Sequence, residues 1–165
     1  PEGFAYGKAI GEELPALVEQ WFQTKPGWAI GGLSMGGYGC MRLGLTYCDR
    51  FVSIASHSGA LAFGQNPLPN EDAFGREMGR ILGPNPNGGA CDLLALAKKA
   101  EPKPKIRIDC GVDDFLIEAN RFCHVELDAL GYQHEYDEYP GEHNWAYWDE
   151  HFPKALQFHR QNLGF

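Results

Sequence analysis

The stretch Gly31-Gly32-Leu33-Ser34-Met35-Gly36-Gly37-Tyr38-Gly39 constrains this chain more than any other. It holds the pattern G-x-S-x-G, between an apolar run (Trp28-Ala29-Ile30) and residues that read as a helix. A serine in that position predicts a sharp strand-to-helix turn, with the hydroxyl exposed above a helix N-terminus. Glycines are needed on both sides because neighbouring backbones pass close. Ser34 is therefore the candidate nucleophile. The plainer alternative is a polar residue in a glycine-rich turn, and the rest of the chain decides between the two.

Apolar spacing sets the remaining elements. Ile10, Leu14, Leu17, Val18 and Trp21 recur at helical intervals, which predicts a helix from about Tyr6 to Phe22 that Pro15 interrupts or restarts. Short strands are expected at 28–33, 51–56, 105–111 and 134–139, and helices after the Ser34 turn to about Tyr47, at 116–130 and at 147–161. The fourth strand is rich in charge, as suits a sheet edge. Residues 60–104 carry Gly, Pro and Asn clusters around weak helical patches at 71–82 and 91–100, and read as an excursion over the active-site end of the sheet. Strands alternating with helices imply an α/β fold with a parallel sheet and right-handed crossovers. The whole chain, 1–165, reads as a single domain.

Composition excludes several functions. A net charge of −8 argues against a nucleic-acid partner and against anionic membranes. No apolar run approaches a membrane span. Five cysteines without C-x-x-C spacing fit reduced, structural thiols, which favours the cytoplasm over an oxidising compartment. The chain begins at Pro1 rather than Met, so the sequence leaves localisation open.

Catalytic groups in such sheets collect in loops at the carboxyl ends of the strands. Ser34, Asp114 and His143 all fall there, after the first, third and fourth strands. A serine hydroxyl needs a base to remove its proton during attack. His143, in the loop after the last strand, is the best of six histidines for that task. His57 follows the second strand, near the expected pocket but out of chain order for a base. The third member orients the imidazole. Asp113 and Asp114 compete for that role on nearly equal terms, because either could instead cap the helix that follows. Asp114 is taken as the acid and Asp113 as a cap or pocket acid. The N–H of Met35 is the first oxyanion donor, and a second donor is not visible. Tyr38, His57 and Trp145 are candidate pocket walls, although aromatic residues more often serve the core. No cofactor is expected. No metal is expected either, because Glu142, His143 and His151 have poor ligand spacing.

Three segments together resemble a known family: G-L-S-M-G-G-Y-G (32–39), C-G-V-D-D-F-L (110–116) and P-G-E-H-N-W-A-Y-W-D (140–149). E-E-L-P-A-L-V-E-Q (12–20) and the H-x-W-x-x-W-D ending add to the likeness. The chain resembles the putative-esterase family of α/β-hydrolases over nearly its whole length. That group includes esterase D (S-formylglutathione hydrolase), tributyrin esterases, feruloyl and acetylxylan esterases and mycolyltransferases, and the tributyrin branch is the nearest in pattern. The resemblance implies Ser34 as nucleophile, Asp114, the second aspartate of G-x-D-D, as acid, and His143 as base. Family members carry roughly a hundred residues before this region. The chain is therefore expected to be the C-terminal portion of an α/β-hydrolase fold, incomplete at its N-terminus. Strand 28–33 would then pair with a missing N-terminal segment or with a second copy in a homodimer.

The expected activity is a serine carboxylesterase acting on short-chain acyl esters through a Ser-His-Asp triad and an acyl-enzyme. Its partner is a small-molecule ester. Alternatives are an S-formylglutathione hydrolase or a feruloyl or acetylxylan esterase. A reading of another class is a catalytically silent esterase-like module.

Overall fold

The computed structural model describes residues 5–64, 73–83 and 86–164. Its helices are α1 (Tyr6–Lys8), α2 (Leu14–Trp21), α3 (Met35–Thr46), α4 (Ala73–Leu82), α5 (Leu93–Lys99), α6 (Ile117–Ala129) and α7 (Trp145–Leu163). Its strands are β1 (Trp28–Leu33), β2 (Phe51–His57), β3 (Lys105–Gly111) and β4 (His134–Tyr139). A π-helical turn over Ala9–Glu13 joins α1 to α2. Pro15 is the second residue of α2 and follows the π-helical turn directly, so the chain is helical on both sides of it.

The four strands form one parallel sheet in the order β1-β2-β3-β4. Side-chain alternation gives the two faces of its central strands opposite chemistry. Ile54, Ile106 and Ile108 pack under α3, α5 and α6 with Met41, Leu93, Ala97 and Leu127, all nearly inaccessible. The other face is polar and lies beneath α7. There Arg107 pairs with Glu135 and Asp137, at 2.8 and 2.7 Å. Ser53 Oγ lies 2.8 Å from His159 Nδ1. Burial on this face pushes the His159 pKa down.

The structure adds packing detail to the sequence reading. The apolar stripe of the first helical segment is largely exposed: Leu14 is 52% and Trp21 69% accessible. Leu93 and Ala97 are buried against α3 and α6, so α5 belongs to the helical layer, because its apolar face fits between those two helices. The expected patch at 71–82 appears as α4, and residues 71–72 lie outside the described residues. The last helix starts two residues early, because Asn144 caps it by accepting the Tyr147 N–H at 3.1 Å. Among the described residues no helix is long and apolar enough to cross a membrane.

Candidate active site

Ser34 adopts φ 56° and ψ −120°, a backbone region that L-residues rarely occupy. Such strain costs about 1–3 kcal/mol and persists only where the surroundings over-determine it. Here the Ser34 N–H donates to the His57 carbonyl at 2.9 Å, and its own carbonyl accepts from Gly37 and Ala60 at 3.0 and 3.1 Å. The glycines make room. A Cβ on Gly32 would collide with the Gly36 carbonyl, and one on Gly37 would lie 2.7 Å from Gly59 Cα.

The loops after β1, β3 and β4 then meet. His143 Nε2 lies 2.9 Å from Ser34 Oγ, and His143 Nδ1 lies 2.8 Å from Asp114 Oδ2. Asp114 is 2% exposed. Its second oxygen accepts the Leu116 N–H at 2.8 Å. A carboxylate in this position accepts a hydrogen bond from Nδ1–H and so keeps the proton on Nδ1, which leaves the Nε2 lone pair facing the serine hydroxyl. Aromatic rings hold the imidazole on two sides: Phe115 at 4.6 Å and the edge of Trp148 at 5.0 Å. Trp148 is itself anchored by its indole N–H, which donates to Ser58 Oγ at 3.2 Å.

Asp113 and Asp114 thus have different surroundings. Asp113 is exposed, and it does not cap α6: the N-cap residue is Leu116, with no side-chain cap, and the nearby carboxylate that accepts a backbone N–H is that of Asp114. Consecutive residues in a turn point in different directions, and only one of this pair points at the imidazole. Met35 is the first residue of α3, so its N–H has no partner within the helix and lies next to the serine.

The expected pocket walls separate. His57 and Trp145 line one mostly apolar cavity of about 480 Å³, with Gly32, Leu33, Trp148 and Phe152. Tyr38 does not line it. Its hydroxyl donates to the Cys91 carbonyl at 2.8 Å and its ring meets Phe63 edge-on, so it ties the helix after Ser34 to a distant loop.

Sequence reasoning missed a second histidine–aspartate pair. His57 Nδ1 lies 3.0 Å from Asp109 Oδ1, which also accepts the Tyr147 hydroxyl at 3.0 Å. Burial, together with the Asp109 charge, pushes the Tyr147 phenol far up, so it remains a donor. Asp109 between Ile108 and Cys110, inside a strand, was the available signal, since a buried carboxylate needs partners. Cys110, beside Asp114, is a neutral thiol, its pKa pushed up to about 12 mainly by burial. Burial also raises Cys40 and Cys123 to about 12. All three are poor candidates for a thiolate nucleophile.

Comparison with known proteins adds relatives to this geometry. The model of a family described as "Putative esterase" matches residues 4–159. An acetyl esterase of Caldicellulosiruptor saccharolyticus is 32% identical over 167 residues, which covers 93% of this chain and 63% of that protein. The crystal structure of an S-formylglutathione hydrolase from Staphylococcus aureus superposes with a TM-score of 0.80 at 29% identity, covering 96% of this chain and 65% of that one. A fluorophosphonate-binding serine hydrolase of the same organism, FphF, gives 0.81 at 30% identity, with 95% and 64% covered. The chain spans less than two thirds of the length of each of these relatives.

Proposed function

The chain belongs to the putative-esterase family and has the α/β-hydrolase fold, and we propose that it is a serine carboxylesterase for short-chain acyl esters, with Ser34, His143 and Asp114 as its triad. One observation carries the proposal: a single imidazole bridges a strained serine and a buried carboxylate, at 2.9 and 2.8 Å.

In this mechanism His143 Nε2 takes the Ser34 proton as Oγ attacks the ester carbonyl carbon. The carbonyl oxygen becomes an oxyanion, and the Met35 N–H donates to it. His143 then passes its proton to the leaving alcohol, and the acyl group remains on Ser34. Water, deprotonated by the same imidazole, attacks the acyl-enzyme. The acid leaves and the Ser34 hydroxyl is restored. Asp114 holds the tautomer and stabilises the imidazolium throughout.

A second reading is a thioester substrate of the S-formylglutathione kind. The likeness to the Staphylococcus aureus S-formylglutathione hydrolase favours it. Part of the proposal concerns β1. Among the described residues its outer edge has no strand partner; another segment of the polypeptide or a second copy would pair there, and by the family likeness the second oxyanion donor would come from such a preceding segment.

The test is fluorophosphonate labelling with peptide mapping, followed by kcat/KM on p-nitrophenyl acetate, p-nitrophenyl octanoate and S-formylglutathione. The proposal expects one adduct at Ser34 and a preference for acetate. Faster turnover of the thioester transfers the assignment to the second reading. A folded protein with no adduct, and with hydrolysis no faster than that of Ser34→Ala, refutes the enzyme and favours a catalytically silent module.

A further inference from the structure

The Asp114 carboxylate has a third donor besides His143 and the Leu116 N–H, and that donor is a thiol. Cys110 is the next-to-last residue of β3. Its side chain hydrogen-bonds to Asp114 on one side and to the Ser58 hydroxyl on the other. Ser58 directly follows β2, and its Oγ accepts the Trp148 indole N–H at 3.2 Å. All four residues are buried. Trp148 sets its ring edge against His143, with centroids 5.0 Å apart and planes at 87°. His143 Nδ1 returns to Asp114 Oδ2 at 2.8 Å. These contacts close a circuit around the imidazole that faces Ser34.

The direction of each hydrogen bond from Trp148 to Asp114 is fixed by its two ends. An indole N–H only donates, and a carboxylate only accepts. Ser58 Oγ therefore accepts from Trp148, and the Cys110 thiol gives its hydrogen to Asp114. Ser58 has one hydrogen left, and it donates that to Cys110 Sγ. The thiol has a hydrogen to give because burial keeps it neutral. The chain thus runs one way, from Trp148 through Ser58 and Cys110 to Asp114, and successive bonds of this kind polarise and strengthen one another.

The backbone is bent to hold this chain. Among the described residues Ser58 is one of two non-glycine residues at positive φ, at 46°, and the other is Ser34 itself. The Ser58 N–H donates to the Asp109 carbonyl at 2.7 Å, which pins the bend beside β3. Strain of this kind collects at functional sites and persists only where neighbours enforce it. We propose that Ser58 and Cys110 are positioning residues for ester hydrolysis, which hold the Asp114 carboxylate so that Oδ2 stays on His143 Nδ1. The inference rests on the reading of Ser34, His143 and Asp114 as a triad.

Three donors do what two cannot. The Leu116 N–H holds Oδ1 and the His143 Nδ1–H meets Oδ2. A planar group held at two points can still pivot about the line between them. A third hold, from β3, stops that pivot. The restraint matters as Ser34 attacks, when the imidazole takes up the serine proton and the imidazolium must stay seated on Asp114. A small misplacement at that moment is costly, because the reaction depends on alignment. No proton passes through the thiol: Cys110 and Ser58 keep their hydrogens throughout, and they act only on the orientation of Asp114.

The experiment pairs infrared spectroscopy of the thiols with kinetics on p-nitrophenyl acetate, both on the full chain, with circular dichroism to verify folding. The S–H stretching band that disappears in Cys110→Ser belongs to Cys110. That band should move to higher frequency in Ser58→Ala, which removes the polarising donor, and in Asp114→Asn, which removes the charged acceptor. Cys110→Ala should lower kcat about fivefold and leave KM unchanged. Cys110→Ser, whose hydroxyl accepts and donates at the same place, should recover most of that loss. Ser58→Ala should lower kcat about tenfold, since it releases both Trp148 and Cys110, and it carries the kinetic test if Cys110→Ala does not fold. A band that neither Ser58→Ala nor Asp114→Asn moves overturns the proposal. So does a folded Cys110→Ala or Ser58→Ala within twofold of wild-type kcat, or a Cys110→Ser no faster than Cys110→Ala. A wild-type chain that hydrolyses no ester, with the band moving as expected, refutes the esterase reading and leaves the chain of bonds to Asp114 standing.

Discussion

Replacing Asp114 by Asn alters one atom and reverses the proton arrangement of the whole site. Asp114 has two duties: Oδ1 accepts the Leu116 N–H at 2.8 Å and Oδ2 faces His143 Nδ1 at 2.8 Å. An Asn here keeps its oxygen on the Leu116 N–H, since an NH₂ in that place would set donor against donor. Its NH₂ then faces His143, whose Nδ1 must become the acceptor. The ring proton moves to Nε2 and points at Ser34 Oγ. The imidazole no longer has a lone pair to receive the serine proton, and the charge that steadies the imidazolium is gone. Losses for this change in a serine triad are about 10⁴-fold in kcat, or about 5.4 kcal/mol of transition-state stabilisation at 1.36 kcal/mol per decade. Asp113 is exposed and makes no contact with the ring, so Asp113→Asn should stay within about twofold of wild type. The assay is kcat/KM on p-nitrophenyl acetate for both variants, with circular dichroism and Tm to verify folding. If folded Asp114→Asn loses less than tenfold, or Asp113→Asn loses more than Asp114→Asn, the assignment of the acid is wrong.

The other predictions concern the turn, the nucleophile and the acid range. Ser34→Ala should abolish hydrolysis and fluorophosphonate labelling while Tm stays within a few degrees of wild type; residual labelling at another serine would relocate the nucleophile. Gly37→Ala puts a methyl 2.7 Å from Gly59 Cα and Ser56 Oγ, so it should cost about 1–3 kcal/mol of stability and lower kcat, read from denaturant melts and initial rates. Glu138 is held down to about 2, chiefly by its bond to Arg121. A carboxylate whose pKa falls on folding adds stability above its unfolded value, near 4.5. That stability is lost as pH drops from there to about 2. Glu138→Gln should therefore melt below wild type at pH 5 and converge with it near pH 2; a gap independent of pH would assign the effect to packing.

How far the sequence could be read depended on the range of the forces at each position. The strands at 28–33, 105–111 and 134–139 are found where the short segments between turn signals put them. The Ser34 turn was legible because its geometry is a matter of neighbours: Gly32 must clear the Gly36 carbonyl, four residues away. Chain order, Ser then Asp then His, followed from strand–helix alternation, since each loop at a strand's carboxyl end faces the same side of the sheet. Spacing alone left Asp113 and Asp114 nearly even, because both satisfy every local rule and differ only in direction; the likeness of the G-x-D-D segment is what pointed to Asp114. The hydrogen bond from the Tyr38 hydroxyl to the Cys91 carbonyl, 53 residues on, was not legible either. The polar face beneath α7, with His57, Asp109 and Tyr147 in one network, needed three elements to meet before any of its bonds existed. The hydrogen bond between the His124 and His134 rings likewise depends on how α6 turns back into β4. Short-range sterics and periodicity are written in adjacent residues. Which buried polar atoms find each other is decided only when the sheet brings distant backbones within hydrogen-bond reach.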